Sequence, residues 1–426
     1  MGGVIRAVIF KINDTVLQHS KLTLNKKEAK TTYKALEVLG PEHEYSLVDK
    51  DLKPLPISDK IIKDYCGKII NFIELPKFTF GKELQLHVME IKANEPFKSP
   101  IEFEETMQSA VTVLNQIVQK HGAMLLGTGM HPLLKLQDTA VWPHYHKKIY
   151  QQYGKIFNLN QHGWLNVQSF HLNLPYQNEV DAIQIHNQLT NLCAYLPAIA
   201  ASSPIFEGKI GPDIDNRLKF YRINQKEVPS VTGDVIPEYL TSLSQYKNEI
   251  IGQYSRDLIS SGADKILMNK EWVNSRGIIF RFDRQALEIR IMDEQECIKS
   301  DVALACFVRA SLRGLIRANA ELLPHVLLVK NYNSAAKDGL NAAVSSPHGK
   351  TAREVCKYFI DLAQKHANCD EKKYLWLTAK RIEEGSLSER IRANILRRAQ
   401  KTDFHQAIVD VYSTLIKCLS DNEIYF

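Results

Sequence analysis

Three short segments of this 426-residue chain carry glutamates where strand patterning calls for apolar residues. GPEHEYSLVD (40–49), QLHVMEIKA (85–93) and ALEIRIMD (286–293) read as β-strands from their apolar, β-branched and aromatic content, yet Glu42, Glu44, Glu90 and Glu288 stand inside them. A carboxylate enclosed by a sheet is costly unless a cation or a hydrogen-bond donor satisfies it. Glu42 and Glu44 are two residues apart, so on a strand they share a face, about 6 to 7 Å apart along it. His171, with Asn173 two further on, has the same setting in QSFHLNLPY. Hard divalent cations prefer oxygen ligands and bridge carboxylates to nucleotide phosphates, so strand-borne glutamates facing one cavity suit metal and nucleotide chemistry. An imidazole could complete such a shell. Spacing alone does not decide the matter, because Glu42 and Glu44 equally fit a solvated strand face. Glu288 beside Arg290 fits a cross-strand ion pair, and His171 fits a hydrogen-bonded core histidine.

Other features narrow the class of protein. No run of 18 apolar residues occurs, and the first thirty residues lack the pattern of a signal peptide, so the expected location is the cytoplasm. Seven scattered cysteines with no CxxC pair fit reduced thiols better than a disulfide framework or a zinc site. A net charge of +6 is mild for this length. The densest basic stretch, TAKRIEEGSLSERIRANILRRAQK, sets Arg381, Arg390, Arg392, Arg397 and Arg398 among glutamates, which reads as a solvated helix face, with an RNA or acidic-partner surface as the other reading. No Gly-rich P-loop, GxxxxGK[ST], is present.

Along the chain, VIRAVIF near the N-terminus could add a strand to a sheet edge. The segments at 35–50, 80–94 and 123–129 and WLNVQSFHLNLPY (164–176) read as strands, with a helix from Glu102 to Lys120 between the second and third. One long helix is predicted from Glu179 to the small residues before Pro204. SRGIIFRFDRQALEIRIMD reads as two strands joined by a turn at Asp283 to Gln285, and beyond residue 300 the pattern is helical, with breaks at Pro324, at 345–349 and at 368–370. This is an α+β pattern.

These segments resemble the type 2 glutamate-cysteine ligases and their carboxylate-amine ligase relatives. The family's Glu-x-Glu strand followed by Leu-Val-Asp is similar to Glu42-His43-Glu44 and Leu47-Val48-Asp49, and its histidine-proline element after Gly-Thr is similar to Gly127-Thr128-Gly129-Met130-His131-Pro132. Its strand histidine looks like His171, its small-residue helix end resembles Ile199-Ala200-Ala201-Ser202-Ser203-Pro204, and its Val-Glu-x-Arg-x-x-Asp resembles Leu287-Glu288-Ile289-Arg290-Ile291-Met292-Asp293. Ala335 to Leu340 is similar to a late family segment.

The resemblance implies a glutamine-synthetase-like fold: an antiparallel sheet funnel with packed helices and a helical C-terminal region. The expected division is an N-terminal extension over 1–34, a catalytic domain over 35–345 and C-terminal helices over 346–426 packed on it. Glu42, Glu44, Glu90, His171 and Glu288 would bind Mg²⁺, Arg290 with Glu288 would act catalytically on the transferred phosphate of ATP, and Arg217 or Arg222 would bind nucleotide or substrate. The implied reaction joins the γ-carboxylate of glutamate to cysteine through an acyl phosphate. The same chemistry with another amine or carboxylate, a guanidino-type phosphotransferase and a catalytically silent binding protein with a basic C-terminus are the alternatives. Expected partners are small-molecule substrates, an amino acid and an amine, with no nucleic acid and no membrane, and with a homodimer left open.

Overall fold

A computed structural model describes residues 33–144 and 147–426; VIRAVIF and nearly all of the N-terminal extension lie outside the described residues. The largest sheet has eight antiparallel strands: β1 (Gly40–Val48), β2 (Phe72–Glu74), β3 (Phe78–Lys82), β4 (Val88–Ala93), β5 (Met124–Leu126), β6 (Ser169–Pro175), β7 (Ile278–Arg281) and β8 (Ala286–Asp293). Their order is β2-β3-β4-β1-β6-β8-β7, with β5 also on β1. Strand β1 is central. His43 pairs with Ile91 of β4 and Phe170 of β6, while Ser46 pairs with Val88 of β4 and Leu126 of β5. One edge of β1 therefore takes β4, and the other is divided between β6 and β5.

The two-residue period of these strands separates chemistry from core. Tyr45, Leu47, Met89, Ile91, Phe170, Leu172, Leu174, Leu287 and Ile289 alternate onto one face and are fully buried in a single apolar cluster. Helix α1 (Pro100–Gln119) supplies Phe103, Met107 and Val111 to that cluster, and α2 (Glu179–Cys193) supplies Leu189. Helix α3 (Ile298–Arg317) supplies Val302 and Phe307 and contacts α1 and α2. The glutamates are left on the opposite face.

The helix breaks have local causes. Ser99 caps α1, accepting from Ile101 N at 3.2 Å. The expected helix from Glu179 is two helices, because Pro197 starts a second at Leu196–Ala200 and cannot continue the first. After α4 (His325–Asp338), residues 345–349 turn a two-stranded hairpin, Ala343–Ser346 with Gly349–Thr351. Capping boxes then open α5 (Ala352–His366) at Thr351 and Glu354, α6 (Cys369–Glu384) at Asn368 and Glu371, and α7 (Leu387–Arg398) at Ser386 and Glu389. Helix α8 (Phe404–Asp421) packs with α7, Val48 and Leu126 in a second apolar cluster.

Arg381 departs from the solvated face expected of the basic stretch. Its guanidinium is buried and donates to Glu296 Oε2 at 2.7 Å, tying α6 to the segment that follows β8. Arg397 and Arg398 are exposed. All seven cysteines are free thiols, and among the described residues no helix is long and apolar enough to cross a membrane.

Candidate functional site

Strand register gathers the glutamates. Glu42 lies opposite Lys92 on β4 and His171 on β6, Glu44 opposite Glu90, and Glu288 opposite Asn173. Cross-strand partners share a face, so four carboxylates, an imidazole and an ammonium meet on one side of the sheet, all but Lys92 predicted from sequence.

Each carboxylate is buried and compensated in its own way. Burial pushes Glu42 up, but Lys92 (Nζ to Oε2, 3.0 Å), Arg284 and His171 outweigh it and hold that carboxyl well below its usual range. Glu288 is likewise raised by burial but brought down to about 2 by Arg290, whose Nε lies 2.6 Å from Oε1, and by Arg281. Glu90 stays well above its usual range, because burial and the neighbouring Glu83 and Glu42 outweigh Lys92 at 2.8 Å. Glu44 has no ion pair among the described residues. It accepts from Ser169 N at 2.8 Å and Ser169 Oγ at 3.0 Å, and burial with the nearby charge of Glu83 raises it to about 8. The same hydroxyl is 3.0 Å from His171 Nε2, and burial lowers His171 to about 4, so its imidazole is neutral near pH 7.

A cavity of about 420 Å³ opens on this face. Glu44, Glu90, His171, Arg217 and Arg290 line it, together with Glu83, Lys82 and Lys92. Tyr150, Tyr153, Trp164, Tyr221 and Trp272 supply an aromatic wall. Ligand oxygens of Glu44, Glu83 and Glu90 lie within 4.8 Å of one another, a cluster of the size and donor type that suits a hard divalent cation. Glu42 and Lys92 also line a second cavity of about 310 Å³ with Asn173 and Arg284, so Lys92 faces both. Glu288 lines neither cavity and reaches the first through Arg290.

Arg217 and Arg222 are placed differently. Arg222 is exposed, donates to Asn333 at 2.8 Å and lines neither cavity. Arg217 is buried, with Nε 2.5 Å from Asp293 Oδ1. Asp293 Oδ2 accepts from Ser202 N at 2.8 Å, and Ser202 Oγ in turn accepts from Gly129 N at 2.7 Å. A Cβ on Gly129 would fall 2.2 Å from Asp293 Cγ, so only glycine fits. The Gly-Thr-Gly, Ala-Ala-Ser-Ser-Pro and Leu-Glu-Ile-Arg-Ile-Met-Asp segments thus interlock at Asp293, three residues past Arg290. His131 is also structural here, with its Nδ1 accepting from Leu133 N and Leu134 N at 3.1 and 3.0 Å.

Sequence reading missed Glu83, Arg281 and Arg284, which sit at strand ends and in a turn with no periodic context. Lys92 was detectable, being two residues from Glu90 and so on its face.

Comparison with known proteins agrees with the architecture. A family model described as glutamate-cysteine ligase family 2 matches residues 38–410. An uncharacterized protein of Archaeoglobus fulgidus is 45% identical over 388 residues, 91% of this chain and 100% of that protein. Among solved structures, a glutamate–cysteine ligase of Francisella tularensis in complex with AMP matches with a TM-score of 0.62 at 13% identity, covering 92% of this chain and 90% of that chain. A bifunctional glutathione synthetase of Pasteurella multocida matches at 0.56 and 14% identity, over 89% of this chain and 52% of that one. At these identities the two structures speak for the fold.

Proposed function

The chain belongs to glutamate-cysteine ligase family 2, a family of ATP-dependent ligases, and from that premise we propose that it joins a carboxylate to an amine through an acyl phosphate, with glutamate's γ-carboxylate and cysteine as the first pair to test. One observation carries this reading: a single cavity holds a three-carboxylate cluster, a buried arginine and an aromatic wall. Acyl-phosphate chemistry asks for those parts and for no covalent nucleophile.

Glu44, Glu83 and Glu90 fit a divalent cation, magnesium by their all-oxygen donor set, which when bound would neutralise phosphate charge. Glu42, His171 and Glu288 form the outer part of the proposed ligand set. Glu42 and Glu288 would join it only by exchanging their present arginine and lysine partners. Arg290, fixed by Glu288 and by the Asn274 carbonyl at 3.1 Å, is oriented before substrate arrives and stabilises the charge on the transferring phosphoryl group. Tyr153, Trp164 and Trp272 offer faces for a nucleotide base. Arg217 acts through Asp293 as a positioning residue, and Arg222 has no part in the site.

The donor carboxylate attacks the γ-phosphorus of ATP and ADP leaves. The amine nitrogen then attacks the carbonyl carbon and phosphate leaves, with the buried cavity walls limiting loss of the acyl phosphate to water. The test is an isotope experiment with donor labelled by ¹⁸O in its carboxylate. This reading expects one labelled oxygen in the released phosphate; label that stays out of phosphate overturns it.

A further inference from the structure

Strand β1 has a second face. Between Glu42 and Glu44, His43 alternates to the opposite side of the sheet, where its ring stacks on Phe170 with centroids 5.1 Å apart. Two carboxylates meet it there, Glu294 just past β8 and Asp301 in the first turn of α3. His43 Nδ1 lies 3.2 Å from Glu294 Oε1 and 3.4 Å from Asp301 Oδ2, and all three side chains are 0% exposed.

Three observations set this cluster apart from an ordinary buried ion pair. The first is charge: burial raises both carboxyls where no solvent reaches, so beside one imidazole they need protons or a cation for compensation. The second is satisfaction. Glu294 Oε2 and Asp301 Oδ1 have no well-aligned hydrogen-bond partner, and Tyr45, 0% exposed, has its hydroxyl turned toward Glu294 and Asp301. The third is distance. Charge-assisted N–H···O bonds are about 2.7–2.9 Å long, whereas ligand atoms bonded at about 2.0–2.1 Å to one tetrahedral cation stand roughly 3.3 Å apart. The two His43 contacts match the latter.

We propose that His43, Glu294 and Asp301 hold a divalent transition-metal ion, zinc by the donor set, with the Tyr45 hydroxyl positioned as a fourth donor. The site is separate from the Glu44, Glu83 and Glu90 cluster, which lies on the other face of the same sheet. It would bind its ion during folding, as enclosed structural sites do. It would also pin the backbone between Glu42 and Glu44 to the end of β8 and the start of α3.

The test is elemental analysis of the full chain, purified and dialysed against EDTA and then magnesium buffer. The expected result is about one zinc per chain, retained in Glu90→Gln and lost in Asp301→Asn and Glu294→Gln. Protein grown on cobalt should show visible d–d bands that survive Glu90→Gln. Zinc should leave the wild type only when guanidinium unfolds it. Folded wild type without a transition metal overturns the proposal, as does metal that Asp301→Asn leaves in place or Glu90→Gln removes. If the Asp301 and Glu294 variants fail to fold, the wild-type metal count and the cobalt spectrum still decide.

Discussion

Lys92 stands directly opposite Glu42 in the β1–β4 ladder, and its ammonium lies 3.0 Å from that carboxylate. The same ammonium is 2.8 Å from Glu90, so one built-in cation serves two buried carboxylates. Lys92→Met would strand Glu90 and leave Glu42 with Arg284 as its ion-pair partner, and breaking a buried pair costs about 3–5 kcal/mol. The expected outcome is a large fall in melting temperature in magnesium-free buffer, partly reversed by MgCl₂ as the freed carboxylate accepts a cation. A variant that melts with the wild type in both buffers would refute this role.

Gly129 packs against Asp293, which leaves no room for a methyl group. Gly129→Ala would push Asp293 away from Ser202 and Arg217, combining overpacking with damage to a buried ion pair, at a cost of at least about 3 kcal/mol. Urea unfolding midpoints for the two proteins check this. An unchanged midpoint would mean that the interlock yields freely.

His186 gives a pH dependence away from the carboxylates. Its ring is buried and stacked on Phe280 with centroids 5.4 Å apart; its Nδ1 faces Asn187 Oδ1 at 3.2 Å, and burial lowers it to about 4. A base depressed in the folded state gives stability that is present above its unfolded value near 6.5 and is lost as pH falls toward 4. Between pH 6.5 and 5 that loss is on the order of 2 kcal/mol. Comparing melting temperatures at pH 7.5 and pH 5, His186→Leu should lose less on acidification than the wild type. An equal loss in both proteins would place the acid sensitivity elsewhere.

The sheet and its glutamates were legible because period-two alternation is a local signal, and register then carries it across strands. Glu42, Glu44, Glu90, His171 and Glu288 share a face for that reason alone. What escaped depends on long-range partners. Arg381 sits among alternating charges and reads as solvated, but its partner Glu296 is 85 residues away and buried. Glu83 lies just past a strand end, Arg281 is the last residue of β7 and Arg284 sits within the hairpin turn that follows, so their reach to the glutamates is set by turn geometry and not by periodicity alone. The aromatic wall comes from short helices and loops whose convergence only the tertiary fold sets. Arg222 sits in the same sequence segment as Arg217, yet only Arg217 reaches the cavity.

The most direct test of the central claim is ADP and amide formation from ATP and Mg²⁺, with glutamate as donor and a panel of amines that includes cysteine. It should be run on the wild type and on Glu288→Gln, which releases Arg290 from its orienting carboxylate. Amine-dependent ADP formation matched by new amide in the wild type, and reduced by about two orders of magnitude or more in Glu288→Gln, is the predicted result. Turnover with an amine other than cysteine would move the substrate and keep the chemistry. ADP formation that needs no amine, or that survives Glu288→Gln intact, would contradict the account.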